Sequence, residues 1–253
     1  MKATNCDAKT RTVNTNTTCG AEDDYYYFSP WRQPGSAAVF DSCGLAGGRT
    51  KQQGDGGFGA GYINTTHAKQ GDAGSLVLPE TPTGTVWKAG SKVEVAWTLQ
   101  ANHGGGYQYR LCPKGSKLDE DCFKKMPLRF TGLQTFRWGG KGGESFSFPG
   151  TYITEGTIPE GSMWAMNPIP RNDNTNTGVG FEPRCKEHPL CGTTASNSHC
   201  KCSGMWGPYN LEILDTLEVP SDIPAGEYVL GWRWDCEESS QIWQSCSDLS
   251  IEK

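Results

Sequence analysis

The sequence lacks long apolar runs and blocks of basic residues, and both absences exclude classes of function. No stretch of the 253 residues approaches the roughly 18 consecutive apolar residues of a membrane-spanning helix. The net charge is −5 and no basic block is present, which argues against nucleic acid and anionic membranes as partners. A phosphate-binding loop, a dinucleotide-binding glycine pattern and the Gly-x-Ser-x-Gly elbow of serine hydrolases are missing as well.

Long periodic helical stretches are also absent, whereas glycine (33) and proline (15) are abundant. Several short runs alternate apolar and polar residues, which is typical of half-buried β-strands; Val93, Val95 and Trp97 lie on one side of the first such run. A glycine-rich turn at 102–106 separates this run from the next. The predicted strands lie at residues 93–99, 107–111, 211–219, 228–234 and 242–251.

These strands and the long irregular segments between them predict an all-β fold. We expect an immunoglobulin/fibronectin III-like β-sandwich with long disulfide-braced loops. The length fits one elaborated domain over residues 1–253. Its N-terminal part, 1–80, is loop-rich, and its sandwich core, 85–253, contains long inserted loops, with residues 139–205 irregular.

The eleven cysteines indicate a disulfide framework formed in an oxidising compartment, and therefore an extracellular, secreted protein. Glycosylation acceptor sequences at Asn16 and Asn64 agree with a glycoprotein. Eleven is an odd number, so at least one cysteine has no partner within the chain. The polar segment Met1–Cys6 has no signal-peptide core, and we expect a missing N-terminal segment to explain both observations.

Two cysteine pairings suggest themselves, although sequence alone does not fix connectivity. A Cys112–Cys122 bridge would close a short loop, and a Cys236–Cys246 bridge would join neighbouring strands. A third group mixes cysteines with histidines and invites a zinc interpretation. It has irregular spacing without paired Cys-x-x-Cys knuckles, so disulfides are favoured there. This group comprises Cys185, His188, Cys191, His199, Cys200 and Cys202.

Two motifs resemble the copper-site segments of lytic polysaccharide monooxygenases. The run Asn102-His103-Gly104-Gly105-Gly106-Tyr107, directly after a strand, resembles the segment that carries their second copper histidine. The run from Gln241 to Ile251 is similar to their last core strand, which in the fungal cellulose-active branch carries Gln-x-Tyr-x-x-Cys. The segment at 227–234 is similar to the approach to that strand in these enzymes, and the segments at 25–32 and 164–171 are similar to a branch related to chitin-binding type-4 proteins.

The resemblance implies a copper cofactor held by a histidine brace, in which an N-terminal histidine supplies its α-amine and ring and His103 supplies a second imidazole. Such nitrogen ligands suit both copper oxidation states. Gln241 would lie beside the metal and Trp243 at its axial position, making His103, Gln241 and Trp243 the candidate catalytic residues. The chain departs from the family at Met1, which is not histidine, and at Trp243, where the family has a tyrosine oxygen ligand.

The implied activity is oxidative cleavage of insoluble polysaccharide, through hydroxylation of a sugar C–H group next to the glycosidic bond. It needs an external electron donor, and we expect a monomer without nucleic acid or membrane partners. In the chain as written, which lacks the N-terminal histidine, we expect this activity to be lost. The alternatives are a non-catalytic polysaccharide-binding or cell-wall protein on the same fold, and a disulfide-rich structural or defence protein that binds no glycan.

Each candidate residue also has a purely structural interpretation. His103 would be a surface or hydrogen-bonded loop histidine, Gln241 a strand residue paired with backbone, and Trp243 a core tryptophan. The aromatic residues at 25–27 and Trp31 would form either a sugar-stacking platform or loop anchors. The acidic runs at 119–121 and 237–238 are expected to be solvated rather than a hydrolase's carboxylate pair.

Overall fold

A computed structural model describes residues 29–46, 48–49, 62–63, 65–69, 71–98, 103–138, 140–169, 211–237 and 240–253. Its strands are β1 (Gly48–Arg49), β2 (Tyr62–Ile63), β3 (Val86–Lys88), β4 (Lys92–Trp97), β5 (Gly106–Pro113), β6 (Arg129–Trp138), β7 (Ser145–Pro149), β8 (Tyr152–Ile153), β9 (Trp164–Met166), β10 (Leu211–Glu218), β11 (Gly226–Asp235) and β12 (Ile242–Glu252). The helical elements are a 3-10 turn (Pro30–Arg32), α1 (Gly74–Val77) and α2 (Glu120–Phe123). No helix within these ranges is long and apolar enough to cross a membrane.

The strands form two main sheets and one small separate pair. The four-stranded sheet has the order β4-β10-β6-β7, and the six-stranded sheet has the order β3-β12-β11-β5-β9-β8. Strand pairing is antiparallel except between β3 and β12, which run parallel. The remaining pair, β1 with β2, is antiparallel. The all-β class predicted from the sequence is confirmed at this level.

One hydrophobic core receives side chains from both main sheets. Trp97 of the four-stranded sheet packs against three residues of the six-stranded sheet, with ring-centroid distances of 4.6 Å to Tyr107, 5.0 Å to Trp232 and 5.8 Å to Trp234. Alternation along the strands produces this arrangement, because every second residue points to the same face. Full burial of each large apolar side chain contributes roughly 1.5–3 kcal/mol.

The five predicted strands correspond to β4, β5, β10, β11 and β12, and are confirmed. The prediction that residues 139–205 are irregular is wrong for Ser145–Pro149, Tyr152–Ile153 and Trp164–Met166. These strands are too short to show an alternating pattern in the sequence, and they are held by hydrogen bonds to neighbouring strands. β7 pairs with β6, and β9 pairs with β5 and β8.

One predicted disulfide is confirmed and the other is wrong. Cys112 pairs with Cys122, but Cys246 pairs with Cys43 rather than with Cys236. Cys236 lies opposite Gln241, to whose carbonyl its N–H donates, and Gln241 precedes Cys246 by five positions along an extended strand. Five residues of strand span about 17 Å, well beyond the reach of a disulfide. The cysteine group at 185–202 and the sequons at Asn16 and Asn64 lie outside the described residues.

Candidate functional site

The loop that carries His103 is held against the end of β11 by its own backbone. The carbonyl of His103 accepts a hydrogen bond from the Glu237 N–H at 3.1 Å, and the carbonyl of Gly104 accepts one from the Trp234 indole N–H at 2.7 Å. Gly104 and Gly105 adopt positive φ values of 64° and 73°, which glycine tolerates at no steric cost. The two glycines therefore let the backbone approach β11 closely. This close approach fixes the position of the His103 backbone, from which the imidazole projects.

Replacing Gly105 by alanine is expected to destabilise the protein more than the same change at Gly115. Both glycines have positive φ, which costs an alanine about 1–2 kcal/mol. A Cβ at Gly105 would also lie 2.0 Å from the Asp235 carbonyl oxygen, whereas nothing lies within 4 Å of one at Gly115. We expect the additional clash to cost about 1–3 kcal/mol, measured by urea unfolding. Equal losses in the two variants would contradict this tight packing.

The three residues predicted to form the site lie at the same end of the six-stranded sheet. The partly exposed His103 ring stacks on Trp234, with centroids 6.1 Å apart and planes 28° from parallel. Trp243 lies directly across from Trp234 in the pairing of β11 with β12. The Trp243 indole N–H donates to Gln241 Oε1 at 3.0 Å. His103 therefore contacts Trp234, and Gln241 contacts Trp243, the strand partner of Trp234. We call these four residues the rim cluster.

The placement of Trp243 decides between its two sequence interpretations. Its side chain is 51% exposed, whereas Trp234 beside it is 3% exposed. The core interpretation is therefore wrong. An exposed indole at this position is a flat apolar surface at the same end of the sheet as His103.

The rim cluster contains one imidazole, one amide and two indoles, so His103 is its only strong metal ligand. In the described ranges no group of three or more His, Cys, Asp or Glu residues is arranged to hold a metal ion. Neutral imidazole is a good copper ligand, and the partly exposed ring of His103 fits that role. Further nitrogen ligands for copper would have to come from outside the described ranges.

Glu237 contacts the same loop, and the expectation that it is solvated is wrong. The residue is 3% exposed, and its Oε2 accepts a hydrogen bond from the Gly105 N–H at 3.2 Å. The carboxylate is buried because the backbone of residues 103–105 folds over it. The sequence feature that could have predicted the burial of Glu237 is its position just after the buried end of β11. Glu238 lies outside the described residues.

A second buried polar cluster lies on the outer face of the six-stranded sheet, away from the shared core. Arg110 on β5 donates two hydrogen bonds to Glu120 of α2, at 2.7 and 3.0 Å. Arg233 on β11 donates to Glu120 at 2.7 Å and to Asp235 at 2.6 Å. Both arginine side chains are at most 1% exposed. We call Arg110, Glu120, Arg233 and Asp235 the outer ion cluster.

The outer ion cluster corrects a second expectation, because Glu120 belongs to an acidic run predicted to be solvated. Burial alone would raise the pKa of the Glu120 carboxyl, but hydrogen bonds and charge from Arg110 and Arg233 outweigh it and lower the pKa to about 2 from 4.5. Asp119 instead caps α2, with its Oδ1 accepting from the Cys122 N–H at 3.0 Å. Asp119 and Glu120 therefore serve the fold, whereas Asp121 is exposed as expected.

Trp31 is a buried anchor and not part of a sugar-stacking platform. It is 0% exposed, and its ring meets Trp164 edge-on at a centroid distance of 6.3 Å. A Cβ at Gly106 would lie 2.3 Å from the Trp31 ring, so the glycine makes room for it. The other proposed platform residues, at 25–27, lie outside the described residues.

An open groove of about 1160 Å³ lies elsewhere on the surface. Its lining includes the exposed Phe40 and Leu76 together with Asp41, Asp248 and His67, and it includes no member of the rim cluster. His67 is thus an exposed histidine distant from the proposed site, which makes it a matched control for His103.

Comparisons with protein-family models and with curated protein sequences find no match. Among solved structures, the chain is similar to a family 123 glycoside hydrolase from Clostridium perfringens (8% identity, TM-score 0.25, covering 67% of this chain and 22% of that chain). The chain therefore spans about a fifth of the hydrolase's length. It is also similar to the collagen-binding subdomain of the Enterococcus faecalis surface protein ACE (5%, 0.26, 66% and 94%). A third similarity is to AvmM, which catalyses macrocyclization in alchivemycin A biosynthesis (7%, 0.26, 67% and 85%). TM-scores this low carry no argument about fold family or function.

Proposed function

We propose that this protein is a secreted copper-dependent oxidase of insoluble polysaccharide, of the lytic polysaccharide monooxygenase type, on an immunoglobulin/fibronectin III-like sandwich. The observation that carries the proposal is the rim cluster. His103 and the pair Gln241–Trp243 come from two segments separated by more than 130 positions, and the buried Trp234 links them, as ring neighbour of His103 and strand partner of Trp243. The copper motif and the closing-strand motif, which the resemblance links, therefore lie at one surface location.

In this proposal the chain's own residues position the metal ligand and the sugar. The glycine loop and the Trp234 ring together restrict where the His103 imidazole can point. Gln241 Oε1 accepts a hydrogen bond from the Trp243 indole N–H, so the donor of the Gln241 side chain is its Nε2 group. In this proposal Nε2 donates a hydrogen bond to a polar group bound at the site. The exposed Trp243 indole offers a surface for stacking on a pyranose ring. Copper, when bound, supplies the oxidation of a sugar C–H group by oxygen or peroxide, with electrons from an external donor.

His103→Ala is expected to remove an imidazole nitrogen from the copper coordination and to weaken copper binding by at least about tenfold. The control variant His67→Ala, in the open groove, is expected to leave the copper affinity and the copper coordination unchanged. Titration calorimetry measures the affinity, and the nitrogen hyperfine pattern of the copper(II) resonance spectrum identifies the ligand. Undiminished affinity and an unchanged spectrum in His103→Ala would contradict the proposed ligand.

The exposed Trp243 also favours a second candidate, a non-catalytic polysaccharide-binding protein. The two functions are separated by incubating the protein with chitin or cellulose, copper and ascorbate, and analysing the soluble products by mass spectrometry. Oxidised oligosaccharides that disappear in His103→Ala support the oxidase. Retention on the polysaccharide with no oxidised product, even in a form whose processed first residue is a histidine, supports the binding protein.

A further inference from the structure

Aromatic rings connect the rim cluster to the centre of the molecule. From the partly exposed His103 ring, the next ring inward is Trp234 at 6.1 Å, followed by Trp97 at 5.8 Å. Trp97 contacts Tyr107 at a centroid distance of 4.6 Å. Trp232 provides a second route, 6.3 Å from Trp234 and 6.4 Å from Tyr107. A continuous series of oxidisable indole rings thus leads from Trp234, beneath the His103 ring, to Tyr107.

At its inner end the series meets a buried carboxylate. The Tyr107 hydroxyl donates a hydrogen bond to Asp215 Oδ2 at 2.8 Å, and Gln134 Nε2 donates to Asp215 Oδ1 at 2.9 Å and to the Tyr107 oxygen at 2.7 Å. Tyr107 is 0% and Asp215 1% exposed. Tyr109, the next inward-facing residue of β5, is 2% exposed, and its hydroxyl has no hydrogen-bond partner among the described residues. Tyr107 is therefore distinguished from its neighbour by a bonded proton acceptor.

A carboxylate at this position is not explained by stability. Burial raises the pKa of Asp215 to about 6, against the opposing effect of its bonds from Gln134 and Tyr107. Folding therefore loses free energy by keeping this group ionised near neutral pH, a cost that an asparagine would not carry. A carboxylate provides two things that an amide does not: a second acceptor oxygen, so that both Gln134 and Tyr107 are satisfied, and the capacity to take the Tyr107 proton.

We propose that Tyr107 and Asp215 form a redox site, which accepts oxidising equivalents that reach the tryptophans at the rim. A one-electron oxidant removes an electron from the aromatic series, and the electron deficit moves inward to Tyr107. The Tyr107 O–H bond breaks, its proton passes to the Asp215 carboxylate, and a neutral phenoxyl radical and a carboxylic acid are formed while the oxidant is reduced by one electron. The proposal goes beyond the proposed function and needs no metal in the protein.

The test uses the intact, copper-free chain at pH 7.5 with a photogenerated ruthenium(III) polypyridyl complex as the oxidant. We expect a long-lived phenoxyl radical, followed by its visible absorption and by electron paramagnetic resonance. Tyr107→Phe is expected to lower the yield of this long-lived species at least tenfold, because it keeps the ring and removes the hydroxyl. Tyr109→Phe, the matched control on the same face of the same strand, is expected to retain it. An equal yield in Tyr107→Phe and Tyr109→Phe would overturn the proposal.

Asp215→Asn tests the proton acceptor separately. The amide preserves shape but cannot take a proton, so radical formation is expected to slow at least tenfold. Should either variant fail to fold, incorporation of 3-fluorotyrosine at position 107 gives a direct readout, since the fluorine nucleus splits the resonance of a radical on that ring. A long-lived radical without this splitting would place it on another residue and refute the assignment. Since no copper is present, this outcome is independent of the oxidase proposal.

Discussion

Glu120→Gln is expected to lower the free energy of unfolding by about 3–5 kcal/mol at pH 7, although the new side chain has the same shape. Glu120 is the only described carboxylate that hydrogen-bonds Arg110, whose side chain is 1% exposed. It also bonds Arg233, which is fully buried. The amide removes the negative charge and leaves the Arg110 guanidinium buried without a hydrogen-bonded counterion, and Asp235 as the remaining carboxylate for two arginines. Chemical denaturation at neutral pH measures the loss.

The effect of Glu120→Gln is expected to depend on pH in a defined direction. The pKa of Glu120 is lowered from 4.5 to about 2 in the folded protein, so its ionised form stabilises the fold above pH 4.5. That stabilisation diminishes as pH falls from about 4.5 and is lost through pH 2. The difference between the protein and the variant should therefore shrink over the same interval.

Asp121→Asn is the control for this prediction. Asp121 adjoins Glu120 on α2 but is exposed, so its replacement should change the unfolding free energy by no more than about 0.5 kcal/mol. A Glu120→Gln variant as stable as Asp121→Asn at neutral pH would show that the outer ion cluster contributes no net stability.

Removing the Cys43–Cys246 disulfide, as the double alanine variant, is expected to be the second large loss. This bridge joins residues 203 positions apart, and the chain-entropy argument assigns about 5 kcal/mol to a loop of that length. The bridge also fastens the segment at 41–46 to β12, where Gly44 packs against the Gln244 carbonyl. Thermal unfolding under non-reducing conditions measures the effect.

The double alanine variant of Cys112 and Cys122 provides the comparison. That bridge spans ten positions, for which the same argument gives about 3 kcal/mol. Its removal should therefore cost less, even though Cys112 is 0% exposed and its bridge is the more buried of the two. A larger loss from the short-range bridge would show that local packing, and not restriction of the unfolded chain, governs disulfide stabilisation here.

The strands that the sequence predicts are those in which apolar residues dominate one side, and β6 shows why others are missed. Its buried residues include Phe130 and Phe136, but Gly132 and Gln134 interrupt the pattern between them. Gln134 is buried because it bonds Asp215 and Tyr107, which lie on two other strands. Asp215 itself breaks the inward-facing series of β10, and that interruption was the available sign of a polar cluster in the core.

The rim cluster was predictable to a different extent at each position. His103 and Gln241 carry recognisable motifs, and the structure places both beside the 234–237 segment. The exposure of Trp243 was not predictable, because alternation along β12 places it on the same side as the buried Leu249 and Ile251. The partial burial of Glu120 was not predictable either, because one of its arginine partners, Arg233, lies 113 positions away in the sequence. Long-range partners determine whether an acidic residue is solvated, and a local pattern does not contain them.

The earliest described residues are fastened to strands made near the end of the chain. Ser29 bonds the carbonyl of Cys236, and Gly35 bonds the Asp235 carboxylate, across 207 and 200 positions. During synthesis on the ribosome, the segment around residues 29–46 therefore cannot form these contacts until β11 and β12 have emerged. Contacts of such long sequence separation slow folding and expose unpaired surface to aggregation. We expect the protein to complete its fold only after synthesis, with the Cys43–Cys246 disulfide forming last.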